Sequence, residues 1–329
     1  MKKGIFYCIF LVVLSVGLFI WVFTKNRSFD HEYGQDVDIA GDLTGLSTSP
    51  LPGYSSRYAV IPEGEEINAE EFVNSTYAVI MVNNETKECL AAHNVHRRIY
   101  PASMTKLMTG LVVCDAIEQG KLSLDEVIEL EHDISFDSSL SVVQSNLYKG
   151  CRISVRNLLT ALMLSSYNDY AIILAERVGG SVEGFAELMN QKAREIGATN
   201  SHFTNPHGLD DLDHYTTAYD LYLIVNAAAD CEILEEIDQY SSYTYSWTDA
   251  NGESWDDTAT ATNYYLNDGA SLPSNISILA WKTGTTTGAG NCLAMKVKIN
   301  DATYTMMVAD GESKTDLYAK YSILFNLAD

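Results

Sequence analysis

The runs "NISILAWKTG" (Asn275–Gly284), "NCLAMKVKI" (Asn291–Ile299) and "TYTMMVAD" (Thr303–Asp310) decide how this chain folds. Each is rich in β-branched and long apolar residues, so the three read as consecutive strands, the last two joined at Asn300 and Asp301. Far upstream, "YAVIMV" (Tyr77–Val82), a turn at Asn83 and Asn84, and "ECLAAH" (Glu88–His93) read as a β-hairpin. What lies between is helical in pattern. A helix follows Pro101, carries Leu107, Val112, Val113 and Ile117, and stops near Gly120. Val155, Leu158, Leu159, Leu162 and Met163 recur at helical spacing, and "DYAIILAERVGG" and "SVEGFAELMNQKAREIG" each end a helix in glycine. After the strands, Ser313 caps a last helix with Leu317, Tyr321, Leu324 and Phe325 on one face. Strands at both ends with helices between imply one α+β domain, an antiparallel sheet built from both ends of the domain plus a helical subdomain. The Tyr-rich stretch from Tyr240 to Tyr265 is not assigned by its pattern.

The 329 residues are 47% hydrophobic and 20% charged, a globular balance. Lys and Arg number 21 against 44 acidic residues, which argues against nucleic acid and against electrostatic docking on anionic lipid. The N-terminus departs from this balance: Lys2 and Lys3 precede an uncharged run from Ile5 to Phe23, followed by Lys25 and Arg27. At about 1.5 Å per residue the run nearly matches a hydrocarbon core roughly 30 Å thick. No small-x-small cleavage site follows Phe23, so residues 1–27 read as an uncleaved membrane anchor rather than a removed signal peptide. Residues 28–72 hold ten acidic residues and a single base, Arg57, and read as an acidic extracytoplasmic linker with at most a small ordered piece around "RYAVIP". The folded domain is then 73–329. Cys8 lies in the apolar run, and Cys89, Cys114, Cys151, Cys231 and Cys292 show no C-x-x-C or Cys/His ligand spacing; they read as small buried hydrophobes, with no metal or cofactor indicated.

Three stretches could carry chemistry. In "YPASMTKLMTG" (Tyr100–Gly110), Ser103 and Lys106 stand one helical turn apart, so the amine can reach the hydroxyl. Lysine serves as a base only if burial or nearby positive charge lowers its pKa, and Met104, Leu107 and Met108 could supply the burial. Ser103 could equally be a helix N-cap. In "SSYND", Ser166 could relay a proton and Asn168 hold a substrate amide or orient the lysine, while Asn168 or Asp169 could instead cap the next helix. In "WKTGTT", Lys282, Thr283 and Thr285 suit a substrate carboxylate, and Gly284 leaves room for a chain laid along the strand; an exposed edge strand carrying a lysine fits as well. His207 in "NPHGL" is read as part of a structured turn rather than an acid or base.

Each signal is common alone, but S-x-x-K, S-x-N and K-T-G in this order form the motif set of class A β-lactamases and penicillin-binding proteins. With "ISVRNLLTALMLSSYNDYAIILAERVGGS", "FAELMNQKAREIGATNSHFTNPHGLDDLDHYTTAYDL" and "WKTGTTTGAGNCLA", the chain resembles the serine D-alanyl-D-alanine carboxypeptidases, low-molecular-weight penicillin-binding proteins of peptidase family S11, from about Thr76 to Asp310. The resemblance implies a β-lactamase/transpeptidase-like fold and an acyl-enzyme on Ser103 with Lys106 as base. It also implies that Ser166 and Lys282 assist proton transfer, Asn168 binds the substrate backbone, and Lys282, Thr283 and Thr285 fix the terminal carboxylate beside Gly284. The implied partners are peptidoglycan stem peptides ending in D-Ala-D-Ala and β-lactams as inhibitors, met outside the cytoplasm of a bacterial cell and anchored by the N-terminal segment. The family usually has small residues where Tyr167 and Tyr170 stand, which implies a bulkier rim. Many relatives also carry a second β-rich domain and a C-terminal anchor that this sequence does not continue into. A D,D-endopeptidase, a β-lactamase and a catalytically silent wall-binding protein are the alternatives.

Overall fold

The computed structural model describes residues 58–72, 76–138 and 141–328. In chain order they form β1 (Ala78–Asn83), β2 (Cys89–His93), a 3-10 turn (Ala102–Met104), α1 (Thr105–Glu118), β3 (Val127–Glu129) and β4 (Arg152–Ser154). Then follow α2 (Val155–Ser165), α3 (Asn168–Gly179), α4 (Val182–Ile196), α5 (Ala218–Ala229), α6 (Glu232–Asp238), β5 (Ser242–Thr248) and β6 (Ser254–Thr260). The chain closes with β7 (Ile276–Thr286), β8 (Gly290–Ile299), β9 (Ala302–Gly311) and α7 (Lys314–Asn326).

The main sheet has the order β2-β1-β9-β8-β7 and is antiparallel throughout. β1 pairs with β9, Val79 opposite Val308 and Ile80 opposite Met307, so the sheet is indeed assembled from both ends of the domain. Consecutive residues of β1 and of the middle of β9 are buried whichever way they point, as expected where helices cover both faces of a sheet. Helices α5 and α7 pack on it, and the Tyr321 hydroxyl of α7 donates to the main-chain oxygen of Leu293 at 2.5 Å. Helix α1 is buried all round from Thr105 to Cys114, packed against α2, α3, α4 and α5, and therefore shows no polar face.

The Tyr-rich stretch is a hairpin. β5 and β6 join the short β3 and β4 in a second sheet, with the hydroxyls of Tyr243 and Tyr245 turned toward helices: Tyr243 donates to Asn157 at 3.0 Å, and Tyr245 meets Tyr170 at 2.9 Å. The expected linker 28–72 is too long at its C-terminal end. Ala59, Ile61 and Phe72 are buried in the core, the Ala59 oxygen accepts from the Tyr219 hydroxyl at 2.7 Å, and Ile67 pairs with Ala92 through two 2.9 Å hydrogen bonds. The edge of β2 offers open backbone groups, and Ile67, with the Asn68 side chain on the Leu90 oxygen, fills them despite the surrounding glutamates. The anchor expected at 1–27 and the rest of the linker lie outside the described residues; among the described ones, no helix is long and apolar enough to cross a membrane. Cys114, Cys151, Cys231 and Cys292 are buried and Cys89 is half-buried, all free thiols.

Candidate active site

Ser103 sits in the 3-10 turn that feeds α1, and it is not the cap of that helix: the N-cap is Met104, with no side-chain cap bond. The turn is held in an uncommon shape. Ala102 has φ 48°, and the "NPHGL" loop presses against it so closely that a Cβ on Gly208, itself at φ +88°, would fall 1.8 Å from the Ala102 oxygen. The same loop grips α1 from outside, since Thr109 donates to the Pro206 oxygen at 2.6 Å, and further along the chain buried His214 meets Thr105 at 2.9 Å.

Lys106 is completely buried one turn after Ser103. Its amine lies 2.9 Å from the Ser103 hydroxyl, 2.6 Å from the Asn168 side-chain oxygen and 2.7 Å from the His207 main-chain oxygen. Burial holds this amine well below the ordinary lysine range, the positive charge of Lys282 pushes it further, and Asp169 opposes both. A neutral amine has two hydrogens and one lone pair. Of its three partners two are carbonyl oxygens that can only accept, so the lone pair faces the one group with a hydrogen to give, Ser103. Asn168 opens α3 without capping it, the N-cap being Tyr167 with no side-chain cap bond. His207 contributes its backbone: its ring Nδ1 accepts from the Leu209 amide at 3.1 Å, and burial pushes the imidazole down to about 3, the nearby Lys106 charge adding to the shift.

Ser103, Ser166, Thr283, Gly284 and Thr285 line one cleft of about 260 Å³ together with Thr262, Tyr264, Asn291, Lys314 and Tyr318. Ser166 ends α2 in the left-handed conformation at φ 65°, and its buried hydroxyl has no hydrogen-bond partner. Strand β7 forms the opposite wall at the edge of the main sheet. A Cβ on Gly284 would lie 2.9 Å from the Ala102 Cβ and 3.0 Å from the Ser103 nitrogen, so only glycine lets the strand approach the turn this closely. The Thr283 hydroxyl is 2.5 Å from that of Thr262. Lys282 is not an exposed edge lysine: it is fully buried behind the cleft wall, donates to the Thr283 oxygen at 3.2 Å, and burial pushes it down to about 7 while Asp238 pulls it back up.

The expected bulky rim is corrected. Tyr170 is fully buried, hydrogen-bonded to Tyr245, and Tyr167 leans on it with ring centres 5.1 Å apart. Aromatic bulk at the cleft comes from Tyr264 and Tyr318, which no motif marked. Lys314, at the first turn of α7, was missed for the same reason.

Residues 65–313 match the family described as D-alanyl-D-alanine carboxypeptidase, Peptidase S11. This chain belongs to that family. The D-alanyl-D-alanine carboxypeptidase DacF of Bacillus subtilis is 35% identical over 155 residues, 47% of this chain and 39% of that protein. A D-alanyl-D-alanine endopeptidase of Pseudomonas aeruginosa is 30% identical over 276 residues, 84% of this chain and 80% of that protein. The first curated relatives are thus longer than the part matched, which spans 39%, 57% and 62% of them. Among solved structures, a Streptomyces DD-transpeptidase superposes with a TM-score of 0.66 at 26% identity, over 76% of this chain and 95% of that one. The fold is therefore that of the DD-peptidases, as the motif order implied, and the chain is a member of a serine DD-peptidase family of hydrolases.

Proposed function

We propose that this member of the D-alanyl-D-alanine carboxypeptidase family removes the terminal D-alanine of peptidoglycan stem peptides through an acyl-enzyme on Ser103, and that β-lactams acylate the same serine. The observation that carries this reading is the buried Lys106 amine 2.9 Å from the Ser103 hydroxyl, with two acceptor-only oxygens as its other partners. Lys106 takes the hydroxyl proton as the Ser103 oxygen attacks the carbonyl of the penultimate D-alanine. The main-chain N–H groups of Ser103 and Thr285 receive the oxyanion. The unpartnered Ser166 hydroxyl passes the proton from Lys106 to the departing amine, and Lys106, neutral again, activates the water that releases the shortened peptide. Asn168 holds the substrate backbone, and the peptide lies along the free edge of β7 past Gly284, its carboxylate drawn by Lys282, Thr283 and Thr285. Residues 1–27 tether the enzyme to the bacterial cell membrane, with a linker ending before residue 58 and the domain outside the cytoplasm.

A second reading, D,D-endopeptidase, is favoured by the Pseudomonas relative, matched over most of its length. One experiment separates them: the protein is incubated with a pentapeptide ending in D-Ala-D-Ala, with a cross-linked peptide dimer, and with a fluorescent penicillin. D-alanine release with lasting label supports the carboxypeptidase, and cleavage of the dimer alone supports the endopeptidase. Rapid penicillin turnover would mark a β-lactamase, and no reaction with any of the three would refute an enzyme.

Two further outcomes follow from the geometry. Gly284→Ala should push β7 off the Ser103 turn and lower kcat/KM for D-alanine release about a hundredfold. A change below about threefold would show that the close approach is dispensable. The pH profile of kcat/KM should be a bell. The reacting Lys106 must be neutral, so activity falls as pH drops through its depressed pKa. Lys282 must be an ammonium, so activity falls again as pH rises past about 7. In kcat, measured with the substrate carboxylate already bound, the alkaline limb should lie at higher pH; coincident limbs would remove Lys282 from carboxylate binding.

A further inference from the structure

Asp238, the last residue of α6, is buried to 2% exposure, and neither of its carboxylate oxygens is in hydrogen-bond geometry with any donor. Its main-chain oxygen accepts from the Trp281 indole at 3.2 Å, which ties the end of α6 to β7 at the residue before Lys282. The Lys282 ammonium is equally short of partners, with one 3.2 Å bond to the Thr283 oxygen and the Trp281 ring centre at 5.6 Å. The two make no direct ion pair, but both are buried on elements packed against each other, so each acts on the other as the opposite charge in a poorly solvated interior. Burial raises the carboxyl well above its ordinary range, the Trp281 amide and the Lys282 charge oppose this, and Cys231 adds to it. Cys231, whose thiol pairs with that of Cys114 on α1, is the remaining titratable group acting on Asp238.

We propose that Asp238 is a positioning residue of this site, the buried counter-charge that keeps Lys282 an ammonium while the cleft is empty and is relieved of that task when a substrate carboxylate arrives. The inference rests on the cleft being a DD-peptidase site. Two anions on one buried cation leave a net negative charge in a poorly solvated interior, which is costly, so Asp238 takes up a proton from solvent as the substrate binds. The carboxylate of D-Ala-D-Ala then inherits a lysine already charged and already aimed.

The test uses the full chain with Asp238→Asn, nearly the same shape without the charge, and Asp238→Val, apolar and suited to a buried place. Without the carboxylate Lys282 loses its proton earlier. The alkaline limb of kcat/KM should therefore move down by about one pH unit in both variants, about tenfold lower activity above the limb with activity below it kept within about twofold. A purely structural role would lower activity equally at every pH and leave the limb in place, and that result, or a limb moved upward in either folded variant, would overturn the proposal. Titration of the Lys282 amine by 15N NMR reads the same shift without catalysis. If the wild-type chain neither releases D-alanine nor takes penicillin label, the reading of the cleft fails, while an unmoved Lys282 titration in Asp238→Asn would refute the counter-charge itself.

Discussion

With Lys106 replaced by methionine, acylation of Ser103 should slow about ten-thousand-fold, the upper range for removing a positioned general base. Methionine fills much of the buried stem but takes no proton, and it leaves the Asn168 and His207 oxygens without a donor. The loss should fall on the acylation rate, because Lys106 lies beneath the cleft and is not among the residues lining it. Stopped-flow acylation by a fluorescent penicillin measures this directly. A loss below about tenfold, in a variant that melts cooperatively, would show that some other group takes the Ser103 proton.

Ser103→Ala should lower D-alanine release on the order of a million-fold, as expected where the nucleophile of a coupled set is removed. Ser166 shares the cleft but should not substitute, because it ends a different helix and the hydroxyl that the Lys106 amine bonds is that of Ser103. The one side-chain bond lost, to Lys106, is worth about 1 kcal/mol, so the variant should fold and still bind the pentapeptide without cleaving it. Isothermal titration beside a D-alanine assay checks both halves. Residual release within about a hundredfold of wild type would place the nucleophile elsewhere.

Much of the fold was legible because its signals are local. Gly120, Gly180 and Gly197 follow the ends of α1, α3 and α4, Ser313 caps α7 by accepting from the Asp316 amide at 3.1 Å, and the paired apolar runs β1 and β9 are the middle of the sheet. The second sheet was not. β3 and β4 have three residues each, pair with one another across an intervening stretch that no local pattern links, and join β5 only at Arg152 and Thr248. In β5 the alternation of Tyr243, Tyr245 and Trp247 with Ser and Thr is a strand period, hidden by the run of aromatic residues around it.

At the site, side chains with motif spacing were readable, and what holds them was not. The His207 oxygen is backbone, so no residue type marks it, and Lys282 comes under the charge of Asp238 only when α6 is laid against β7. The Tyr170 expectation failed on helix geometry. Two residues along α3 from Asn168, it is turned away by about 200° and points into the core.

The most direct measurement is to locate the acyl group. After reaction with penicillin, trypsin should yield the peptide Ile99–Lys106, in which Ser103 is the sole serine, carrying the mass of the opened β-lactam, and Ser103→Ala should carry none. A full adduct on any other peptide, or an equal adduct in Ser103→Ala, would contradict Ser103 as the nucleophile and Lys106 as its base.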